Sequence, residues 1–260
     1  MLGWSINLFR IFGIQLSVHA SFLLLAYYPY VGWKEGGIPG MLWWSLLIFS
    51  FFFCVVLHEL GHSLTARRFG VNVPRILLTP IGGMAEFDRI PRRPSAELLI
   101  TAAGPAVNFL IVAVLLPVVW GPIFSDTEFP EMSWPGFAVQ LALANLLMGG
   151  FNLLPVFPMD GGRILRALLA TRLRYLQATY WAAIVGKVLS VLLAAAALYF
   201  GYYRLAVLFG FIFFAADAEY RMLLRREQEA AYWAEMARRI TLVTPSGREP
   251  EPPLLHPGPE

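Results

Sequence analysis

The sequence predicts an all-α polytopic membrane protein: about six transmembrane helices, with a short membrane-associated β hairpin between the second and the third. Three observations carry this reading. Of the 260 residues, 58% are hydrophobic and only 14% are charged, against roughly 45–50% and about 25% in a soluble domain. Apolar runs near the ~20 residues that a bilayer helix needs recur along the chain. Arginines gather at alternate ends of these runs, as the positive-inside rule expects. That clustering also explains the net charge of +3 and the pI near 9.1 without nucleic acid as a partner. The single cysteine, Cys54, excludes an internal disulfide and a cysteine-rich metal site.

The spans follow in order. The first runs from about Ile14 to Val31, and the second from about Met41 to Ala66. The third covers Leu98 to Trp120, the fourth Gly136 to Leu154, the fifth Ala178 to Phe200 and the sixth Tyr203 to Tyr220. The first apolar run ends in aromatics and Pro29 without a small-x-small site, so it reads as a span and not as a cleaved signal. Arg67, Arg68, Arg75, Arg89, Arg92 and Arg93 follow span two, and Arg163, Arg166, Arg172 and Arg174 follow span four. The connection between spans three and four carries Asp126, Glu128 and Glu131 and no basic residue. Both termini are therefore expected in the cytosol, and the protein in the cell membrane.

Val71 to Ile90 breaks the helical pattern. Pro74, Pro80 and Gly82-Gly83 punctuate it, and Met84 to Asp88 alternates apolar with polar, which suits short strands and turns. Residues 1–220 are thus expected to form the membrane domain. Residues 221–243 mix Leu223, Leu224 and Trp233 with charges, as in an amphipathic cytosolic helix or an ordinary solvated one. Residues 244–260, rich in Pro and Glu, are expected to be a disordered tail.

Chemistry concentrates in the second span, at His58-Glu59-Leu60-Gly61-His62. Helix positions four apart lie almost above one another, so His58 and His62 project from one face and can share an ion. Glu59 stands beside that ion as a general base for water. The pattern also permits two histidines hydrogen-bonded to neighbouring helices. Ionisable groups are costly at hydrocarbon depth and usually mark function there, which favours the metal.

A catalytic zinc takes three protein ligands and leaves one position open. The best third candidate is Asp160, in Asn152-Leu-Leu-Pro155-Val-Phe-Pro158-Met-Asp160-Gly161-Gly162. Two prolines interrupt the fourth span at the depth of His62, and the glycines allow the turn. Capping of the next helix is the other role open to Asp160. Cys54, one turn before His58, is a less suitable ligand than a packed side chain. Asn152 can donate to a developing oxyanion or bond between helices. His19 shares that ambiguity, and Lys187 suits an internal ion pair better than a base.

These segments resemble the site-2 protease family of intramembrane zinc metalloproteases, in its prokaryotic six-span branch. The carriers are the His58–His62 motif, Asn152 with the Pro-Met-Asp160-Gly-Gly-Arg turn, Pro80-Ile-Gly-Gly83, and Ala103-Gly-Pro105 with Asn108. The resemblance implies peptide-bond hydrolysis within single-span membrane proteins, with release of cytosolic regulators. It implies one zinc per chain on His58, His62 and Asp160, with Glu59 activating water and Asn152 at the substrate or oxyanion. The similarity runs from about Leu2 to Tyr220, and the remainder is too short for the paired CBS modules of some members. No PDZ insertion is expected either. A zinc transporter and a catalytically silent scaffold are the rival classes. Glu59→Gln would spare transport and abolish proteolysis.

Overall fold

A strand pair precedes the first helix. The computed structural model describes residues 4–88, 91–124 and 132–243. β1 (Ser5–Ile11) and β2 (Ile14–His19) are antiparallel, with Ile11 opposite Ile14. Between them Phe12 and Gly13 have φ of 51° and 81°, the positive pair that a tight two-residue hairpin turn needs. β2 then pairs in parallel with β3 (Arg75–Thr79), which pairs antiparallel with β4 (Gly82–Glu86). The sheet order is β1-β2-β3-β4. A parallel pair needs a long crossover. Here it consists of a 3-10 turn (Ala20–Ala26) and α1 (Tyr27–Arg68).

This sheet corrects one expectation and enlarges another. The stretch expected as the start of span one is β2, and helix begins only from Ala20. Ile14 and Leu16 are buried against α1, and a buried strand and a buried helix give the same short apolar run. The hairpin expected between spans two and three is β3–β4, half of a larger sheet.

α1 doubles back on itself. Gly36 and Gly37 leave helical geometry, Gly37 with φ of 63°, a region open to glycine at little cost. The two arms then touch through bare backbone. A Cβ on Gly32 would lie 2.5 Å from the Gly40 carbonyl oxygen, and Tyr28 stacks on Trp44. The second arm carries the His-Glu motif. Its inward face, with Val55, Val56 and Leu60, packs on Ile14, Leu16, Ile76 and Leu78 of the sheet.

The remaining helices are α2 (Pro94–Phe124), α3 (Trp134–Asn152), α4 (Asp160–Leu169), α5 (Tyr175–Tyr199) and α6 (Tyr203–Val243). Small residues let them approach closely: a Cβ on Gly61 would meet the Ala103 carbonyl oxygen at 2.7 Å. Ala182 and Ala183 of α5 pack with Ala216 of α6 and Phe157. Among the described residues, four helical stretches are long and apolar enough to cross a membrane: Ala20–Arg68, Pro94–Gly121, Trp134–Asn152 and Tyr175–Tyr199. The first contains most of both expected spans one and two. The expected sixth, the first half of α6, is not among the four, and α6 runs unbroken past Tyr220. The tail from Thr244, the acidic connection with Asp126, Glu128 and Glu131, and Arg89 lie outside the described residues.

Candidate metal centre and active site

Helical pitch brings two donors together and a turn supplies the third. On α1 the Nε2 atoms of His58 and His62 are 3.1 Å apart. Asp160 Oδ2 lies 3.3 Å from the first and 3.2 Å from the second. Asp160 reaches them because the chain leaves α3 through Leu153 to Met159 and starts α4 with Gly161 and Gly162 packed hard against that turn. A Cβ on Gly161 would lie 2.1 Å from the Leu154 carbonyl oxygen, and one on Gly162 2.7 Å from the Phe157 nitrogen. The expected proline-glycine turn therefore delivers Asp160 to the histidines.

The histidine tautomers follow from backbone carbonyls. His62 Nδ1 is 2.8 Å from the Ile100 carbonyl oxygen, which can only accept, so this nitrogen carries the proton. His58 is fixed through a relay. Asn145 Nδ2 donates to the Leu141 carbonyl at 2.8 Å, which turns its Oδ1 to accept from Asn108 Nδ2 at 2.9 Å. Asn108 Oδ1 then accepts from His58 Nδ1 at 2.5 Å. Both Asn108 and Asn145 are fully buried. Each ring therefore turns its Nε2 lone pair toward Asp160, the outer-shell arrangement common behind metal-binding histidines.

Two imidazole lone pairs and a carboxylate oxygen thus converge with no donor between them. One proton would satisfy one edge of this triangle; a divalent cation satisfies all three. The edges match the ~3.3 Å spacing of tetrahedral ligands about 2.0 Å from zinc. Gly104 of α2 keeps the space clear. A Cβ there would lie 2.2 Å from His62 Nε2 and 2.7 Å from His58 Nε2. The three residues fit a zinc ion by donor type, spacing and available room.

Glu59 leans to the sheet side. Its Oε2 accepts from the Ala85 backbone N–H of β4 at 3.1 Å, and its stem fills the room left by Gly83. Since Ala85 N–H points away from β3, strand alternation turns the backbone groups of Gly83 to the same outer edge.

The sequence pattern of peptidase family M50 matches residues 46–129 and 121–195. The chain belongs to peptidase family M50. Within it, the chain is 40% identical over 224 residues to the zinc metalloprotease MJ0392 of Methanocaldococcus jannaschii, covering 85% of this chain and 62% of that protein. It is 32% identical over 207 residues to the putative zinc metalloprotease Rip3 of Mycobacterium tuberculosis, covering 74% and 50%. The solved site-2 protease of Methanocaldococcus jannaschii superposes with a TM-score of 0.59 at 40% identity, over 84% of this chain and 95% of that one. The chain spans about half to three fifths of the length of these two curated M50 relatives.

The other expected residues are not among the converging donors. Asn152 ends α3, half buried, and its side chain makes no hydrogen bond to another described residue. Cys54 is buried one turn before His58 and is not among the converging donors. His19 ends β2 and caps the 3-10 turn, its Nδ1 accepting from the Ser21 N–H. Lys187 pairs with Asp217 of α6. Two asparagines carry more of the site than the sequence suggests: Asn108 stands out only as part of the resemblance, and Asn145 not at all. Both act from other helices, Asn108 standing 50 residues from His58 and Asn145 37 residues from Asn108.

Proposed function

We propose that this chain is an intramembrane zinc endopeptidase, and that His58, His62 and Asp160 hold its one zinc. The observation that carries the reading is the triangle of two Nε2 lone pairs and one carboxylate oxygen, each ring fixed from behind by a hydrogen bond. The chemistry that a zinc held by His58, His62 and Asp160 would supply is a lowered pKa for a bound water and polarisation of the scissile carbonyl. Glu59 takes the proton from that water and hands it to the leaving amine, a role that suits a carboxylate held by a single backbone N–H. Asn152, near the mouth of the Asp160 turn, donates to the oxyanion or to the substrate backbone.

The substrate is a single-span membrane protein. A helical peptide bond has its carbonyl tied to the chain, so the segment must unwind before it can react. The outer edge of β4 offers the backbone groups of Gly83 and the carbonyl of Ala85, whose N–H is held by Glu59, for an extended segment to pair with. Arginine placement supports cytosolic termini and a site in the cytosolic half of the membrane, since Arg67 and Arg68 end α1 less than two turns after His62. Cleavage then falls in the cytosolic third of the substrate span, where fraying costs least and Gly, Pro or Asn helps most, and it releases a cytosolic fragment.

The test is cleavage of single-span substrates by purified protein in vesicles, with and without a zinc chelator, with products mapped by mass spectrometry. Chelator-sensitive cuts in the cytosolic third are expected. Cuts in the opposite half would overturn the topology, and chelator-insensitive cuts the metal.

A further inference from the structure

α2 is the rail on which both halves of the centre are set. Its Ile100 carbonyl holds His62 and its Asn108 holds His58. α4, which begins at Asp160, packs on α2 and α5. The position of Asp160 against the two imidazoles therefore depends on how α4 sits on α2, and one buried side chain adds a charged link between them.

Arg166 is counted among the cytosolic arginines by sequence, yet it is 2% exposed. Its Nε and Nη2 donate to Glu97 Oε1 of α2 at 2.8 and 2.5 Å. Tyr175 of α5 donates to the same oxygen at 3.3 Å, and Arg166 Nη1 reaches Glu219 of α6 at 3.4 Å. Glu97, equally buried, lies one helical turn before Ile100. The guanidinium also lies over the Phe157 ring, 5.2 Å from its centre. Phe157 is fully buried and stands three residues before Asp160, in the turn that delivers it. One planar group thus grips the rail helix and the Asp160 turn together.

We propose that Arg166 and Glu97 form a positioning clamp that sets Asp160 against His58 and His62. This rests on the reading of Asp160 as the third zinc donor. A buried ion pair adds little stability over an apolar pair of similar volume. What it adds is direction, because the guanidinium fork fixes both the distance and the angle of its partner. Replacing the whole pair by apolar side chains should therefore leave the fold standing and free Asp160 to drift.

The experiment compares zinc affinity, measured by chelator competition, with the absorption spectrum of the cobalt-loaded protein and with thermal unfolding. The double variant Arg166→Met/Glu97→Met should unfold as the wild type does, yet bind zinc about 10- to 100-fold more weakly, the usual cost of losing an outer-shell partner. Its cobalt spectrum should shift toward that of Asp160→Asn. Arg166→Lys keeps the charge and loses the fork, and should fall between the two. Wild-type affinity and spectrum in the double variant, or in Arg166→Lys should the double variant not fold, would overturn the clamp. If Asp160→Asn itself binds zinc as the wild type does, the donor assignment fails first and takes the clamp with it.

Discussion

The two sources of the candidate donors are built on opposite principles. His58 and His62 stand on one continuous helical arm, and the 3.1 Å between their Nε2 atoms is set by helix pitch and two buried acceptors. Asp160 arrives on an irregular turn of Pro155 and Pro158 closed by two glycines, and its place is set by packing at a distance. A helix supplies precision locally. A turn must borrow it from its neighbours, here from α2 through Arg166 and from the carbonyls of Leu153 and Leu154. The helical half should thus fail when its own side chains or their two direct acceptors on α2 change, and the turn half also when packing farther from the donors does.

The largest effect should come from the helical half without any loss of metal. Glu59→Gln keeps the shape of the side chain and can still accept from Ala85 N–H, so zinc content should stay near one per chain. Turnover should fall by about 10²–10⁴-fold, the usual contribution of a general base. Cleavage above about a tenth of the wild-type rate, set against that range, would remove Glu59 from the chemistry.

The turn half is tested next, by Gly161→Ala. The added methyl would lie 2.1 Å from the Leu154 carbonyl oxygen and 2.3 Å from that of Leu153, backbone atoms that cannot swing aside. The start of α4 must shift, and Asp160 with it. Zinc affinity should drop by at least about tenfold, as for loss of an outer-shell support, while α1 keeps its helix. An unchanged zinc affinity, measured by competition, would show that the turn tolerates displacement and that precision there is not borrowed.

How much of this was legible in the sequence follows the same division. The pair on α1 was readable because a spacing of four on a helix is a local rule, and the Asp160 turn because Pro and Gly announce breaks. β1 and β2 were not, since a short apolar run such as Ile14–His19 does not distinguish a buried strand from a helix. Nor was the Asn145–Asn108–His58 relay, whose partners lie 37 and 50 residues apart and meet only through helix packing. Arg166 misled for a physical reason. Its neighbours Arg163, Arg172 and Arg174 fit a cytosolic loop, and nothing local reveals that Glu97, 69 residues away, takes it into the interior.

A smaller change on the helical side sharpens the comparison. Asn108→Ala removes the acceptor for His58 Nδ1 and leaves Asn145 Oδ1 without its donor. The ring is then free to flip or change tautomer, and zinc affinity should fall by about 10- to 100-fold. Asn108→Asp keeps an acceptor at the same place and should recover most of the binding. Equal losses in both variants would mean that Asn108 packs without orienting the ring.

The smallest effect should lie farthest from both halves. At Gly37 the chain turns between the arms of α1 with φ of 63°, and a Cβ there would meet nothing within 4 Å. Gly37→Ala therefore meets only backbone strain, since φ of 63° with ψ of −146° is a region nearly confined to glycine, at a cost on the order of 1–3 kcal/mol. The second arm starts at the turn, but the motif stands some twenty residues beyond it, about 30 Å along the helix. That length is clamped by the sheet through Val55 and Val56 just before His58, and through Leu60 between the two histidines. A lower melting temperature with wild-type zinc affinity and turnover is expected. A loss of zinc in this variant would mean that the hairpin bend, and not the sheet, sets where the histidines stand.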